Sequence, residues 1–186
     1  MIPISFGTAL AIRMGISLSI SVKRTQRIVL ATLLFSVVLF GLISVFIYVS
    51  RDTIVGLFTT DKDVEEMTDA VWGEVSWANF IFAIFGLLTG VATGLGKQWP
   101  LGIINFFNLW LFGLPVIYYT AIILDQGLDS VWFWMNIPYL SMNIMLIALF
   151  VGTDWHSIRK QMLLSSDSTK NAITTSRVVE ERTPLL

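Results

Sequence analysis

Five asparagines, Asn79, Asn105, Asn108, Asn136 and Asn143, lie in stretches that hold no Asp, Glu, Lys, Arg or His. A carboxamide donates and accepts hydrogen bonds but neither binds nor releases a proton near neutral pH. The chemistry open to these residues is therefore polar lining of a path, or bonding of one helix to another. Asn105 and Asn108 are three apart and share a helix face. Both roles fit them, and an interhelical bond of this kind is worth only about 0.6–2 kcal/mol. Trp110 and Tyr118 lie deep in the same stretch, where aromatic faces suit stacking on a flat organic cation. Asn79, Asn105, Asn108, Trp110 and Tyr118 are thus the candidates for a substrate path.

Catalytic chemistry finds few residues. His156 is the sole histidine and stands two positions after Asp154, and the chain has no cysteine. Thiol nucleophiles, disulfides and thiolate metal sites are excluded. No His/Asp/Glu cluster has metal-ligand spacing and no glycine-rich phosphate loop follows a strand, so neither a metal nor a cofactor is expected. An enzyme would have to use Asp154 and His156, and the expectation is that the chain is not one.

The elements that carry these residues are four uncharged runs, residues 28–50, 76–96, 99–124 and 130–153. About 20 apolar residues in a helix cross a hydrocarbon core roughly 30 Å thick, so each run suffices for one crossing. Hydrophobic residues make up 55% of the chain and its mean hydropathy is +0.75, above what soluble domains carry. A β-barrel would require short alternating segments, whereas residues 28–50 are apolar on every face. The fold class expected is all-α and integral to the lipid bilayer: four complete transmembrane helices plus a truncated one over about residues 2–22. The opening Met1-Ile2-Pro3-Ile4 lacks the positive start of a signal peptide, which favours the end of a longer helix. Residues 1–162 form the expected bundle.

Charge assigns the sides. Lys23, Arg24, Arg27, Lys97, Arg159 and Lys160 flank one set of span ends, while Asp52, Asp61, Asp63, Glu65, Glu66, Asp69, Glu74, Asp125 and Asp129 flank the other. By the positive-inside rule the carboxyl end is cytoplasmic. A net charge of −1 gives no footprint for nucleic acid. The acidic connection is expected as a solvated loop with a short interfacial helix over residues 64–71. Residues 163–186, rich in Ser and Thr, are expected as a disordered tail. Its final Glu181-Arg182-Thr183-Pro184-Leu185-Leu186 resembles an acidic dileucine sorting signal, with Glu181, Leu185 and Leu186 as the signal residues; the resemblance favours a vacuole or lysosome, with the plasma membrane the other destination and a plain exposed end the other reading of the motif.

Within the spans, Gly86, Gly90 and Gly94 recur every fourth residue and predict a face on which another backbone packs closely. Pro115 and Pro138 predict local kinks, since each removes a backbone donor and crowds the preceding turn.

The order of several motifs resembles the multidrug and toxic compound extrusion (MATE) family, in its carboxyl-terminal half. They are Ile2-Pro3, Ala11-Ile12-Arg13-Met14-Gly15, Leu57-Phe58-Thr59-Thr60-Asp61 with Val64, Gly90-Val91-Ala92-Thr93-Gly94-Leu95-Gly96-Lys97-Gln98, Gly113-Leu114-Pro115 and Thr153-Asp154-Trp155. The resemblance implies part of a twelve-helix protein in two six-helix bundles, which exports organic cations or other xenobiotics by antiport with H⁺ or Na⁺. It places this chain from the end of the eighth helix through the twelfth, so that a second polypeptide would have to supply the missing bundle unless the chain is a truncated product. The alternative is a non-transporting membrane scaffold or regulatory partner derived from such a transporter. Two positions depart from the family pattern: Phe82 stands where many eukaryotic members carry an acid, and Thr93 where an arginine is usual. All 13 acidic residues fall outside the uncharged runs, so no intramembrane proton carrier is expected.

Overall fold

The computed structural model describes residues 2–182, with the side chains of 170–172 and 174–182 excepted. Helices α1 (Ile2–Ile20), α2 (Val22–Val49), α3 (Arg51–Phe58) and α4 (Lys62–Gly94) come first. They are followed by α5 (Gln98–Ile123), α6 (Gly127–Val151) and α7 (Trp155–Arg182). Helices α1, α2, α4, α5 and α6 are long and apolar enough to cross a membrane.

Contacts fix the directions. Pro3, Gly7 and Ala11 of α1 meet Gly86, Gly90 and Gly94 of α4 in ascending order, so these helices run parallel. Asn136 and Asn143 of α6 reach Glu74 and Ile81 of α4, which makes α6 parallel as well. The Phe6–Phe40 edge contact at 6.0 Å and the bond from Trp72 Nε1 to the Ile47 carbonyl at 3.1 Å set α2 antiparallel to both. Ser130 to Thr120 and Asn108 to Met145 set α5 antiparallel to α6. Helix α4 is the centre: 61% of its most apolar window is buried, against 17% for α5. The core around it is Leu10, Met14, Leu18, Leu87, Leu88, Val91, Met142 and Leu146.

Tight joints produce this alternation. Ser21 alone, in extended conformation at φ −158°, turns α1 into α2. The end of α4 closes with Gly96 at φ +69°, its N–H bonded to Thr93 O at 3.0 Å and that of Lys97 to Ala92 O at 2.8 Å. This is the glycine-terminated helix end in which a left-handed residue satisfies the last carbonyls. All acidic connections therefore lie at one end of the bundle and the basic ones at the other. Arg159 at the basic end donates from Nη2 to Ser19 O and Ile20 O, both at 3.1 Å, closing the carboxyl end of α1.

Three boundaries differ from the expectations. Helix α2 begins six residues early, because Lys23, Arg24 and Arg27 are good helix formers whose long stems reach from a helix to water. The acidic connection is not a loop with a separate helix: α4 starts at Lys62 and runs 33 residues, about 50 Å. Asp61 caps it, accepting from Asp63 N at 3.0 Å, and Asp63, Glu65 and Glu66 sit in the first turns, where the helix dipole favours acids. Helix α7 continues to Arg182, through the segment expected to be without order. Its hydroxyls bond locally, Ser168 to Leu164 O and Thr169 to Ser165 O, and Leu164 is exposed. Leu185 and Leu186 of the sorting signal lie outside the described residues, and of Glu181 only the backbone is described.

Candidate ion and substrate path

The crossing of α1 on α4 is close and is built from glycine. A Cβ on Gly90 would strike the main chain of Gly7, and one on Gly7 would strike the carbonyl of Gly86. A Cβ on Gly94 would lie 3.2 Å from Ala11 Cα. Small residues at every fourth position on both helices let the two backbones touch. The sequence showed the stripe on α4, but its partner is Gly7 with Ala11, the same spacing in miniature.

Along its other side α4 forms a polar seam with α6. Asn136 Nδ2 donates to Glu74 Oε2 at 2.9 Å and lies 3.4 Å from the Glu74 carbonyl oxygen. Seven residues on, two helical turns, Asn143 Nδ2 donates to Ile81 O at 3.1 Å. Tyr139, between the two asparagines on α6, reaches past Ile81 to pack on Phe82, with ring centroids 4.2 Å apart, and on Phe85 at 5.3 Å. Asn136 and Asn143 are each 6% exposed, and the Oδ1 of both is buried without a hydrogen-bond partner among the described residues. Phe82, at the position where the family pattern suggested an acid, is thus part of an aromatic rung.

Glu74, expected in the acidic connection, belongs to a helix, as do Asp63, Glu65, Glu66 and Asp69. It lies inside α4, half-buried, with a buried amide on its carboxylate. It ended the uncharged run in the sequence, so it read as a loop residue. The helix continues through it because α6 covers that face. Next to it a cavity of about 500 Å³ opens at the acidic end, walled by Ala70, Glu74, Gln126, Asp129, Ser130, Phe133 and Trp134. Ser130 Oγ closes one corner by donating to Thr120 Oγ1 at 2.7 Å, tying α6 to α5.

The five residues expected to line a path do not converge. Asn79 is half-buried on α4. Asn105 buries its Oδ1 without a partner among the described residues. Asn108 donates to Ile104 O at 2.8 Å and reaches Met145 Sδ of α6 at 3.4 Å. Trp110 and Tyr118 are 66% and 58% exposed on the outer side of α5. A run that is apolar on all faces carries no sign of which face meets protein and which meets lipid.

Pro115 and Pro138 act differently from each other. Helix α5 passes through wide π turns at Phe106–Gly113 and Tyr119–Ile123, on either side of Pro115. Such turns accompany helix irregularity and frequently mark functional sites. Helix α6 runs unbroken through Pro138, whose buried ring packs where Gly113 leaves room, 3.0 Å from that residue's would-be Cβ.

At the basic end Asp154 caps α7. Its carboxylate accepts from Ser157 Oγ at 2.7 Å, His156 N at 3.0 Å and Ser157 N at 3.3 Å. The Ser157 hydroxyl, then the Ser157 and His156 amides, hold its carboxyl below the usual carboxylate range. These bonds occupy the carboxylate with helix capping. Among the described residues no three His, Cys, Asp or Glu side chains are grouped to hold a metal.

Comparison with known proteins gives consistent matches. The family model MatE matches residues 1–119. Multidrug and toxin extrusion protein 2 of Mus musculus is 24% identical over 178 residues, covering 94% of this chain and 31% of that protein. Protein DETOXIFICATION 29 of Arabidopsis thaliana is 25% identical over 156 residues, covering 83% and 31%. The crystal structure of the eukaryotic MATE transporter AtDTX14 superposes with a TM-score of 0.80 at 20% identity, over 87% of this chain and 36% of that one, which shows a shared fold. The chain spans less than two fifths of the length of each of these proteins.

Proposed function

Because this chain belongs to the MatE family, the multidrug and toxic compound extrusion proteins, we propose that it forms the α1–α6 bundle of a membrane exporter. The exporter moves organic cations or other xenobiotics in exchange for H⁺ or Na⁺. The observation that carries the reading is the α4–α6 seam, where Glu74 is held by Asn136 beside a cavity with a second carboxylate, Asp129, and two aromatic rings, Phe133 and Trp134. Carboxylates attract cations and aromatic faces stack on them. The glycine contact of α1 with α4 supports a mechanism in which helices shift against each other. Alternating access needs a second bundle, whether it comes from the same polypeptide or another. Asn79, Asn105 and Asn108 serve there as polar positions along the path, and Trp110 and Tyr118 on the exposed side of α5 face that second bundle. The basic end is cytoplasmic, in the plasma membrane or the membrane of a vacuole or lysosome.

Vesicles reconstituted with the chain, and with the chain plus a full-length relative, test this. Movement of a fluorescent organic cation driven by a pH or Na⁺ gradient, and lost in Gly90→Leu, is the expected result. Absence of gradient-driven movement by the chain alone, and of any increase over what the relative carries by itself, overturns the exporter. A second reading, a non-transporting partner, is favoured by α5, whose most apolar window is 17% buried and leaves a broad face free. Binding to the full-length relative without any movement of its own supports that partner instead.

A further inference from the structure

We propose that Lys23, Arg24 and Arg27, at the start of α2, bind the phosphate-bearing headgroup of an anionic membrane phospholipid whose acyl chain lies along α2. A cavity of about 520 Å³ opens at the joint of α1 and α2, walled by Ser21, Lys23, Arg24, Arg27, Ile28 and Ala31. Its three basic side chains are exposed and form no ion pair among the described residues, where both ion pairs belong to Arg51 at the acidic end. Clustered cations without a carboxylate repel one another, so they favour a ligand that brings negative charge. Ser21 makes no side-chain capping bond, which leaves the first amides of α2 open to the same anion. Arg159 of α7 brings a fourth cation to this joint. Its Nη2 sits on Ser19 O and Ile20 O, and its Nε is buried without a hydrogen-bond partner among the described residues.

The walls select a lipid over a free phosphate. Arg24, Arg27, Ile28 and Ala31 follow three- and four-residue spacing and share one face of α2. Beyond the cavity the same face continues as Leu34, Phe35, Val38 and Leu42, which are 58–64% exposed. From Ile28 to Val38 the helix rises about 15 Å, the depth of one leaflet of a core roughly 30 Å thick. A headgroup held by the bases therefore has an uninterrupted apolar face for its chain, and basic pockets beside spanning helices recognise anionic headgroups in this way. Acids on the helices packed against α2 do not compete: α1 has none, those of α4 lie towards its opposite end, and Asp154, just before α7, is occupied by capping. The site is separate from the α4–α6 seam and does not depend on what the chain exports.

The purified full chain in an uncharged detergent tests this through its thermal midpoint, titrated with phosphatidylglycerol, with phosphatidylcholine of the same acyl chains, and with inorganic phosphate. A ligand that binds only the folded protein raises the midpoint. Phosphatidylglycerol should raise it well above phosphatidylcholine, and inorganic phosphate should leave it unchanged. Arg24→Gln combined with Arg27→Gln keeps good helix formers at both positions. It should weaken the phosphatidylglycerol titration about thirtyfold, at roughly fivefold per base. Lys160→Gln, at the same end but outside the cavity, should leave the titration as in the wild type. Should the double variant not fold, Arg27→Gln alone should show the roughly fivefold shift. Equal response to the two lipids, an unchanged titration in the arginine variants, or the same loss in Lys160→Gln overturns the site. A rise with inorganic phosphate equal to that with phosphatidylglycerol makes it a free-anion site and overturns the lipid.

Discussion

Replacing Gly90 with alanine adds one methyl group at the point where α1 and α4 touch. A Cβ built there stands 2.5 Å from Gly7 Cα, with the Gly7 carbonyl closer still. Carbon atoms are comfortable at about 3.5–4.0 Å, so the helices must part by roughly 1 Å. The obstruction is backbone and has no rotamer to escape into. Overpacking costs about 1–3 kcal/mol, and this contact belongs at the upper end. Alanine returns about 0.5–1 kcal/mol over glycine inside a helix, so the net loss is about 2 kcal/mol. Gly73→Ala is the matched control, on the same helix with nothing within 4 Å of the added Cβ. Thermal or denaturant unfolding in detergent should show Gly73→Ala slightly more stable than wild type and Gly90→Ala clearly less stable. Equal stability of the two variants would refute the close crossing and the parallel placement of α1 on α4 that rests on it.

Other perturbations separate the remaining contacts. Asn143→Leu removes the bond to Ile81 O together with an unpartnered Oδ1, so unfolding in detergent should show a change of about 1 kcal/mol or less. Asp154→Ala should speed amide exchange at His156 and Ser157, read by hydrogen–deuterium exchange. Because the Asp154 carboxyl is depressed in the folded chain, its capping is fully present above the unfolded value of about 3.9 and fades as pH falls through the lower folded value. Wild type and Asp154→Ala should therefore differ at neutral pH and converge only in acid. Replacing Leu185 and Leu186 with alanine should move a tagged protein towards the cell surface, and an unchanged location in microscopy removes the sorting proposal.

The spanning helices were legible because lipid demands a strong signal: about twenty uncharged residues in a row. Their partners were harder to read. The Gly86, Gly90 and Gly94 stripe announces a close contact, yet Gly7 was visible as its counterpart only through the shared four-residue spacing with Pro3 and Ala11. Glu74 was assigned to a loop because a charge ends a hydropathy run even when the helix goes on beneath it. The pairing of residues 74 and 81 with 136 and 143 is equally spaced on both helices, a pattern that has meaning only once the helices are known to run parallel. Trp110 and Tyr118 were grouped with the asparagines by depth, while their faces depend on helix packing and on the π turns of α5.

The chain contains no cysteine, so single cysteines can report which end of the bundle meets which solution. Introduced at Lys23, Lys97, Asp61 and Asp125 in turn, in the chain with Leu185 and Leu186 replaced by alanine so that it reaches the cell surface, they can be labelled with a membrane-impermeant maleimide in intact cells and again after permeabilisation. Lys23→Cys and Lys97→Cys should label only after permeabilisation, and Asp61→Cys and Asp125→Cys should share the opposite accessibility, with the two pairs never mixing. Labelling that puts Asp61 and Lys97 on one side would contradict the parallel crossing of α1, α4 and α6 and, with it, the placement of Glu74 at the mouth of the path.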